Sequence, residues 1–229
     1  MAEHPFLIIG GTRGIGRSLA EKLISRGEHV ITVARGADGG PGGPHIQADV
    51  MNEALPDAAL PSGLAGLAYC PGSIDLKPLR SIRPEDLRAA FELNVVGAFR
   101  CAQQCAERLK RVPGSSIVFF STVAVQRGMA FHAGVASSKG AVEGLTRSLA
   151  AELAPTVRVN CIAPSLTRTS LAEKLLNSPE REKASADRHP LKRVGEADDI
   201  AAMAAFLLSE DARWITGQVM GVDGGMSAL

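Results

Sequence analysis

Glycines recur near the N-terminus of this sequence at a spacing that suits a phosphate group. Gly10, Gly14 and Gly16 follow the apolar run of residues 6–9, and a predicted helix begins near Ile15. Glycine lets the backbone turn tightly and lets a pyrophosphate approach the helix N-terminus, whose free N–H groups and dipole favour anions. The pattern predicts either a phosphate-binding turn or a tight strand-to-helix turn without a ligand.

Two arginines lie where a dinucleotide would place a phosphate on its adenosine ribose. Arg35 follows a predicted strand at residues 29–34, and Arg13 lies in the glycine turn. In nucleotide-binding α/β folds, a carboxylate after the second strand binds the ribose 2′-hydroxyl, whereas an arginine accommodates a 2′-phosphate. No acidic residue occupies that position, and guanidinium groups bind phosphate oxygens in a fixed fork. The pair indicates NADP(H), with two solvated surface arginines as the alternative.

Asn94 interrupts an otherwise apolar helical pattern. It stands between Leu93 and Val95 in a helix predicted over residues 84–110. A polar residue in this setting is either a satisfied core amide or a residue that holds water in a site.

Strands and helices alternate along the whole chain, which predicts a single α/β domain with a Rossmann-like, mostly parallel sheet between two helical layers. Residues 168–192 are rich in charge and carry two prolines, so we expect two short, mobile helices that cover a site. Seven strands are predicted, at residues 6–9, 29–34, 45–48, 64–70, 116–120, 157–162 and 219–222.

The bulk composition gives no support for several classes of protein. The chain has 229 residues, a formal net charge of +1 and 45% hydrophobic residues. These values indicate a globular protein without a nucleic-acid or membrane partner. The first apolar run is too short for a signal peptide or membrane span, so a cytoplasmic location is expected. The cysteines lack the spacing of a zinc or redox site, so we expect core positions and no metal.

Over nearly its full length the chain resembles the short-chain dehydrogenase/reductase family. The likeness is carried by the glycine turn, Asp49-Val50, Asn94, residues 138–144 around Lys139, residues 158–164, and residues 215–218 with 223–225. It implies NADP(H) at the carboxyl edge of the sheet, a small-molecule substrate, and a homodimer or homotetramer formed through helices 84–110 and 133–153. The cofactor residues it implies are Gly10, Thr12, Arg13, Gly14, Ile15, Gly16, Arg35, Asp49, Val50, Gly72, Lys139, Pro164, Thr167 and Thr169. Thr167 and Thr169 are equally suited to capping a helix.

Carbonyl-reducing members of the family resemble one another in a set of serine, tyrosine, lysine and asparagine. In that set tyrosine protonates the substrate oxygen, lysine lowers the tyrosine pKa and holds the ribose, serine orients the carbonyl, and asparagine anchors a relay water. Asn94 and Lys139 match, and Thr122 keeps a hydroxyl at the serine position. The tyrosine position, four residues before the lysine, is Val135.

Valine can neither donate nor accept a proton, and general acid catalysis is typically worth ~100- to 10,000-fold, or ~3–5 kcal/mol. Three functions therefore stay open. The protein is an NADPH-dependent reductase whose proton comes from His132, from Lys139 or from water held by Asn94. Alternatively, it reduces a C=N bond whose iminium already carries a proton, or it is a catalytically silent NADP(H)-binding sensor or assembly subunit.

Further departures from the family pattern lie close to the predicted site. They are Ile9 before the first glycine, residues 69–72 (Tyr-Cys-Pro-Gly) in place of Asn-Asn-Ala-Gly, and Ser165 in place of the glycine after Pro164. These departures bear on the substrate class more than on the fold.

Overall fold

Seven parallel strands form the central sheet, in the order β3-β2-β1-β4-β5-β6-β9. The computed structural model describes residues 4–37 and 39–229. A separate pair, β7 with β8, lies outside this sheet. The strand order reverses between β1 and β4, and in open α/β sheets ligands bind at the carboxyl edge beside such a reversal. The strands are β1 Phe6–Ile9, β2 Val30–Ala34, β3 His45–Gln47, β4 Gly66–Tyr69, β5 Ser116–Phe120, β6 Arg158–Pro164, β7 Thr167–Arg168, β8 Gly195–Glu196 and β9 Val219–Val222.

Helices cover both faces of the sheet, which confirms the predicted three-layer α/β class. They are α1 Gly14–Ser25, α2 Pro84–Phe91, α3 Gly97–Lys110, α4 Ala124–Arg127, α5 Ala133–Leu153, α6 Pro179–Asp187 and α7 Ala197–Leu208. Within residues 168–192, a 3₁₀ segment, Ser170–Leu175, precedes α6. The mobility of this segment stays a prediction. No helix in the described part of the chain combines the length and apolar character needed to cross a membrane.

The apolar run of β1 shows why the sheet is covered on both sides. Its four residues are all buried, as expected for a parallel strand between two helical layers. Phe6 and Ile8 pack in the cluster that includes α1 and α7 residues, whereas Leu7 and Ile9 pack in the cluster that includes α3 and α5 residues. The alternation fixes which face of the sheet each helix covers.

The chain is helical over residues 84–110 as predicted, but one π-helical turn, Glu92–Val96, lies between α2 and α3. The reason lies in two side chains. Asn94 Nδ2 donates to Ala90 O at 2.9 Å, and Tyr69 Oη donates to Leu93 O at 2.6 Å. Side chains that insert into the helical hydrogen-bond ladder widen the turn. The wider turn places Asn94 in the interior, where it is 1% exposed.

Candidate active site

In the glycine turn after β1, the backbone at Gly16 lies close to the backbone at Gly10. Gly10 and Gly14 have φ values of +76° and +50°, in the region that favours glycine. A methyl group on Gly16 would lie 2.3 Å from the carbonyl oxygen of Gly10, so no other residue fits there without moving the backbone. Arg13 precedes α1, and no side chain caps that helix. The first N–H groups of α1 therefore face the turn, as an anion site requires.

The residues predicted for the adenosine end lie on the surface around this turn. Arg13 and Arg35 are exposed, and within residues 4–37 and 39–229 neither guanidinium group has a hydrogen-bond partner. Asp49, in contrast, accepts bonds from Met51 N at 3.2 Å and Asn52 Nδ2 at 3.0 Å. Its carboxylate thus organises the turn after β3. A nucleotide contact by these residues stays a prediction.

Residues 164–169 bring the end of β6 towards the glycine turn. A methyl group on Gly14 would lie 3.3 Å from Thr169 Cγ2, so Thr169 and the turn are neighbours. Thr167 is buried, and its hydroxyl donates to Ser165 O at 2.9 Å. Neither threonine caps a helix through its side chain: Thr167 lies in β7, and Thr169 precedes Ser170–Leu175 without a capping bond.

Asn94, Lys139 and Gly72 meet at the carboxyl edge of β4 and β5. A methyl group on Gly72 would lie 3.5 Å from Lys139 Nζ and 3.6 Å from Asn94 Oδ1. The two polar atoms therefore face the same small space in front of the Gly72 backbone. Lys139 Nζ also donates to Phe120 O at 2.8 Å, which holds the ammonium group at the end of β5. The structure thus brings together three residues that the sequence placed in one site.

Asn94 carries an acceptor that no described group uses. Its Nδ2 donates to Ala90 O at 2.9 Å and to Ser138 Oγ at 3.1 Å, which fixes the orientation of the amide. Its Oδ1 is buried and has no hydrogen-bond partner in the described part of the chain. A buried acceptor left unpaired costs ~1–3 kcal/mol. The geometry therefore suits a water or a ligand hydroxyl beside Gly72 and Lys139.

Lys139 is the most perturbed cation of this cluster. Its side chain is buried, and loss of hydration lowers its pKa to about 8. The thiols of Cys161 and Cys70 lie near it and act weakly in the opposite direction. An amine with a pKa in this range exchanges protons readily near neutral pH.

The residue one helical turn before Lys139 offers no polar atom from its side chain. Val135 is 9% exposed and lies in α5. The nearby Ser138 hydroxyl donates to Val135 O at 3.0 Å, and Ser121 donates to the buried carboxylate of Glu143 at 2.7 Å. The hydroxyl hydrogens of Ser138 and Ser121 are therefore used in these two hydrogen bonds. Thr122 differs, because its oxygen accepts from Ala124 N at 3.3 Å and, among the described residues, its hydroxyl donates to no acceptor.

Tyr69, the only tyrosine of the chain, has a structural role. Its hydroxyl donates to Leu93 O at 2.6 Å in the π-helical turn, and burial raises its pKa far above the ordinary value. A methyl group on Gly97 would lie 2.3 Å from the hydroxyl oxygen, so glycine makes room for it. Tyr69 thus stabilises the turn that carries Asn94.

His132 lies at the entrance to α5. It is the residue before the helix, it is half-buried, and its Nδ1 lies 2.8 Å from Ala130 O. No hydrogen bond joins it to the Lys139 cluster in the described part of the chain. Its part in proton transfer stays a prediction.

A serine–histidine pair near β6 was not foreseen. Ser165 Oγ lies 2.8 Å from His189 Nε2, and His189 Nδ1 lies 2.8 Å from Ser185 O. Because a carbonyl only accepts, Nδ1 carries a hydrogen and donates it to Ser185 O. The pair borders a cavity of about 210 Å³ and ties the end of β6 to the segment after α6. The departure at Ser165 was the only signal for it in the sequence.

Comparisons with known proteins matched this chain over nearly its whole length. The family model described as "Enoyl-(Acyl carrier protein) reductase" matches residues 10–227. A tropinone reductase homolog of Arabidopsis thaliana is 34% identical over 99% of this chain and 93% of its own. The 3-oxoacyl-[acyl-carrier-protein] reductase MabA of Mycobacterium tuberculosis is 31% identical over 98% of this chain and 95% of its own. The structure of ElxO with NADP bound superposes with a TM-score of 0.90, at 26% identity over 99% of both chains.

Proposed function

The chain belongs to the short-chain dehydrogenase/reductase family of nicotinamide-dependent oxidoreductases, and from that premise we propose that it transfers hydride from NADPH to a small carbonyl or imine substrate. The observation that carries the proposal is the convergence of Lys139 and Asn94 Oδ1 in front of Gly72, one helical turn from the hydrocarbon Val135. The site keeps the groups that would hold a ribose and lacks the usual acid.

The choice of NADPH over NADH rests on charge. Arg35 follows β2 directly, Arg13 precedes α1, and no acidic residue occupies the end of β2. Arginine at this point favours a 2′-phosphate, where an acid would favour a 2′-hydroxyl. ElxO, which the chain resembles in fold, was solved with NADP bound.

The residues present fit a nicotinamide dinucleotide. The glycine turn leaves space for a pyrophosphate at the start of α1, and the unpaired Asn94 Oδ1 with the Lys139 ammonium suits sugar hydroxyls. When bound, the cofactor supplies the hydride. The chain itself orients the substrate oxygen through the Thr122 hydroxyl and supplies a proton from a group other than tyrosine.

Three proton sources fit this reaction: His132, the Lys139 ammonium group, and water held by Asn94. If His132 is the donor, His132→Ala lowers ketone turnover ~100-fold, as loss of a general acid does. Unchanged turnover removes His132 from the mechanism.

Reduction of a C=N bond is a second candidate. It is favoured by the hydroxyl groups near Val135, because Ser138 and Ser121 already donate elsewhere. An iminium arrives with its proton, so hydride addition needs no acid from the protein.

The deciding experiment is a titration with NADPH and with NADH by fluorescence, followed by a turnover screen with ketones, imines and enones. We expect tighter binding of NADPH and turnover of the ketone or imine class. Binding without turnover of any class would instead favour a cofactor sensor or assembly subunit, and lack of binding would overturn the proposal.

We also propose a homodimer or homotetramer formed through the helices of residues 84–110 and 133–153. Phe91 and Phe99 support it, because they are 38% and 43% exposed on that helical face. Light scattering of the purified protein tests the assembly.

A further inference from the structure

We propose that the Lys139 ammonium group is itself the acid that protonates the substrate oxygen. The inference rests on the proposed reductase function and names the donor that replaces the missing phenol. It assigns Lys139 a direct contact with the substrate, beside its expected contact with the cofactor ribose.

The position of Lys139 favours this role. It follows Val135 by four residues on α5, so the two side chains are neighbours on one helix face. Valine ends at its two methyl groups, where a tyrosine ring would extend much further and stand between Lys139 and a substrate. Replacement of the ring therefore opens a path to Nζ.

The Lys139 ammonium group also has N–H donors that are available for a substrate. An ammonium group carries three N–H donors, and among the described residues one of them is used, in the 2.8 Å bond to Phe120 O. That bond anchors the group at the end of β5. The remaining hydrogens are free for a substrate oxygen and for a ribose hydroxyl or water.

The other candidate acids in the interior are weak or already engaged. The Tyr69 hydroxyl donates to Leu93 O. Burial raises the pKa of the Cys70 and Cys161 thiols to about 12. Ser138 donates to the backbone of Val135. Lys139 differs from all of these, because burial lowers its pKa to about 8.

The titratable groups around Lys139 leave this assignment intact. The Cys70 thiol faces it from the end of β4, and the Cys161 thiol faces it from β6. On its own helix the nearest carboxylate is Glu143, which accepts from Ser121 at 2.7 Å and has Arg147 at 3.6 Å. The carboxylate is thus compensated by other groups.

The proton step balances as follows. The bound cofactor would supply the hydride for the new C–H bond and be oxidised to NADP⁺, while the π pair of the carbonyl moves onto the substrate oxygen. That oxygen takes a proton as one N–H bond of Lys139 breaks, and the bonding pair stays on nitrogen as the lone pair of a neutral amine. A water bonded to Asn94 Oδ1 then relays a proton from the bulk solvent: it gives one proton to the amine and takes one from a hydronium ion or buffer acid, which restores both the water and the ammonium group.

The test uses the full-length protein and the variant Lys139→Arg. Arginine keeps a positive charge and hydrogen-bond donors but cannot give up its proton at working pH. We compare 1-tetralone, a ketone, with 2-methyl-3,4-dihydroisoquinolinium, an iminium of similar bicyclic shape that needs no proton. In Lys139→Arg the ratio of ketone to iminium turnover should fall ~100- to 10,000-fold, because a weaker contact with the cofactor ribose lowers both activities alike whereas loss of the acid lowers ketone reduction alone.

Two measurements on the wild-type protein test the same assignment without relying on the turnover of the variant. Ketone turnover should fall tenfold per pH unit as pH rises through about 8, because the acid must be protonated, whereas iminium turnover should stay level. Nuclear magnetic resonance of lysine side chains labelled with ¹³C and ¹⁵N, without cofactor, should show one amine that titrates near this pH and whose signal is missing in Lys139→Arg.

The outcomes separate this inference from the proposed function. Equal losses for ketone and iminium, unchanged ketone turnover in Lys139→Arg, or iminium turnover without ketone turnover in the wild type would each overturn Lys139 as the acid. So would a Lys139 amine that titrates with the other lysines above pH 10, whatever the turnover. Failure to bind NADPH would overturn the proposed function itself.

Discussion

The proposed cofactor site has two ends, the glycine turn and the cluster of Asn94 and Lys139, and they are built from different kinds of residue. At the glycine turn, the predicted contacts are backbone N–H groups and the exposed side chains of Arg13 and Arg35. At the other end, Asn94 and Lys139 are buried and are held by internal hydrogen bonds. The glycine turn keeps the spacing of the family, whereas the buried end lacks its tyrosine.

In the proposed mechanism, recognition of the 2′-phosphate and transfer of the proton therefore depend on residues at opposite ends of the site. A buried valine at position 135 packs as a core residue and leaves the fold intact. In the proposed mechanism, the missing hydroxyl group affects the proton step. The comparison therefore predicts that substitutions at the two ends act on different measurable quantities.

The largest effect should come from the double variant Arg13→Ala and Arg35→Ala. Each charge-assisted hydrogen bond to a phosphate contributes about 1.5–3 kcal/mol, so NADPH affinity should fall ~10- to 100-fold for each arginine. NADH affinity should hardly change, because NADH has no 2′-phosphate. Fluorescence titration measures both. Arg17→Ala is the matched control, since Arg17 pairs with Glu21 on α1; equal weakening of NADPH and NADH would remove the phosphate assignment.

Val135→Tyr should raise ketone reduction on the order of 100-fold, the lower end for a general acid, because Lys139 already supplies a proton. NADPH affinity should stay unchanged, since the change lies at the other end of the edge. Steady-state turnover with NADPH measures the gain. Val135→Phe supplies the ring without the hydroxyl and should not show it. An equal gain with phenylalanine, or none with tyrosine despite bound NADPH, would contradict the prediction.

Gly16→Ala tests the closure of the glycine turn. Its methyl group would lie 2.3 Å from Gly10 O, and overpacking of this kind costs ~1–3 kcal/mol of unfolding free energy. NADPH binding should weaken as well, because the backbone must move. Urea unfolding and cofactor titration measure the two effects. Gly144→Ala is the control, because its methyl group would meet nothing within 4 Å and should not destabilise the protein. A similar loss of unfolding free energy in Gly144→Ala would contradict the steric explanation.

Tyr69→Phe should have the smallest effect. It removes the hydrogen bond to Leu93 O, which contributes about 0.5–1.5 kcal/mol to stability. Thermal unfolding should show this loss, while the pH dependence of turnover should keep its midpoint, because Tyr69 gives no proton to the substrate. A shifted midpoint would bring Tyr69 back as a candidate acid.

Much of the fold could be predicted from local patterns. The apolar runs of β1 and β5 and the helical periodicity of α5 each indicate their element within a short window. The confirmed sheet of parallel strands follows from their alternation with helices. The π-helical turn could not be foreseen, because it depends on Tyr69, a residue 24 positions before its partner Leu93.

Some features of the candidate site could likewise be predicted from the sequence, and others could not. The resemblance to the family predicts that Asn94, Lys139 and the glycine turn form one site and identifies Val135 as the departure. The pairing of Ser165 with His189 and the role of Tyr69 needed the folded chain, since each bond joins segments that lie far apart in the sequence.

The sequence by itself determined the α/β fold, the family and the absence of the usual acid, because these depend on residue identity and spacing. Only the tertiary structure decided that Asn94 Oδ1 is left without a described partner and that Lys139 is buried with a lowered pKa. Both properties depend on groups that several strands and helices bring together around these side chains, and burial among those groups is what lowers the Lys139 pKa.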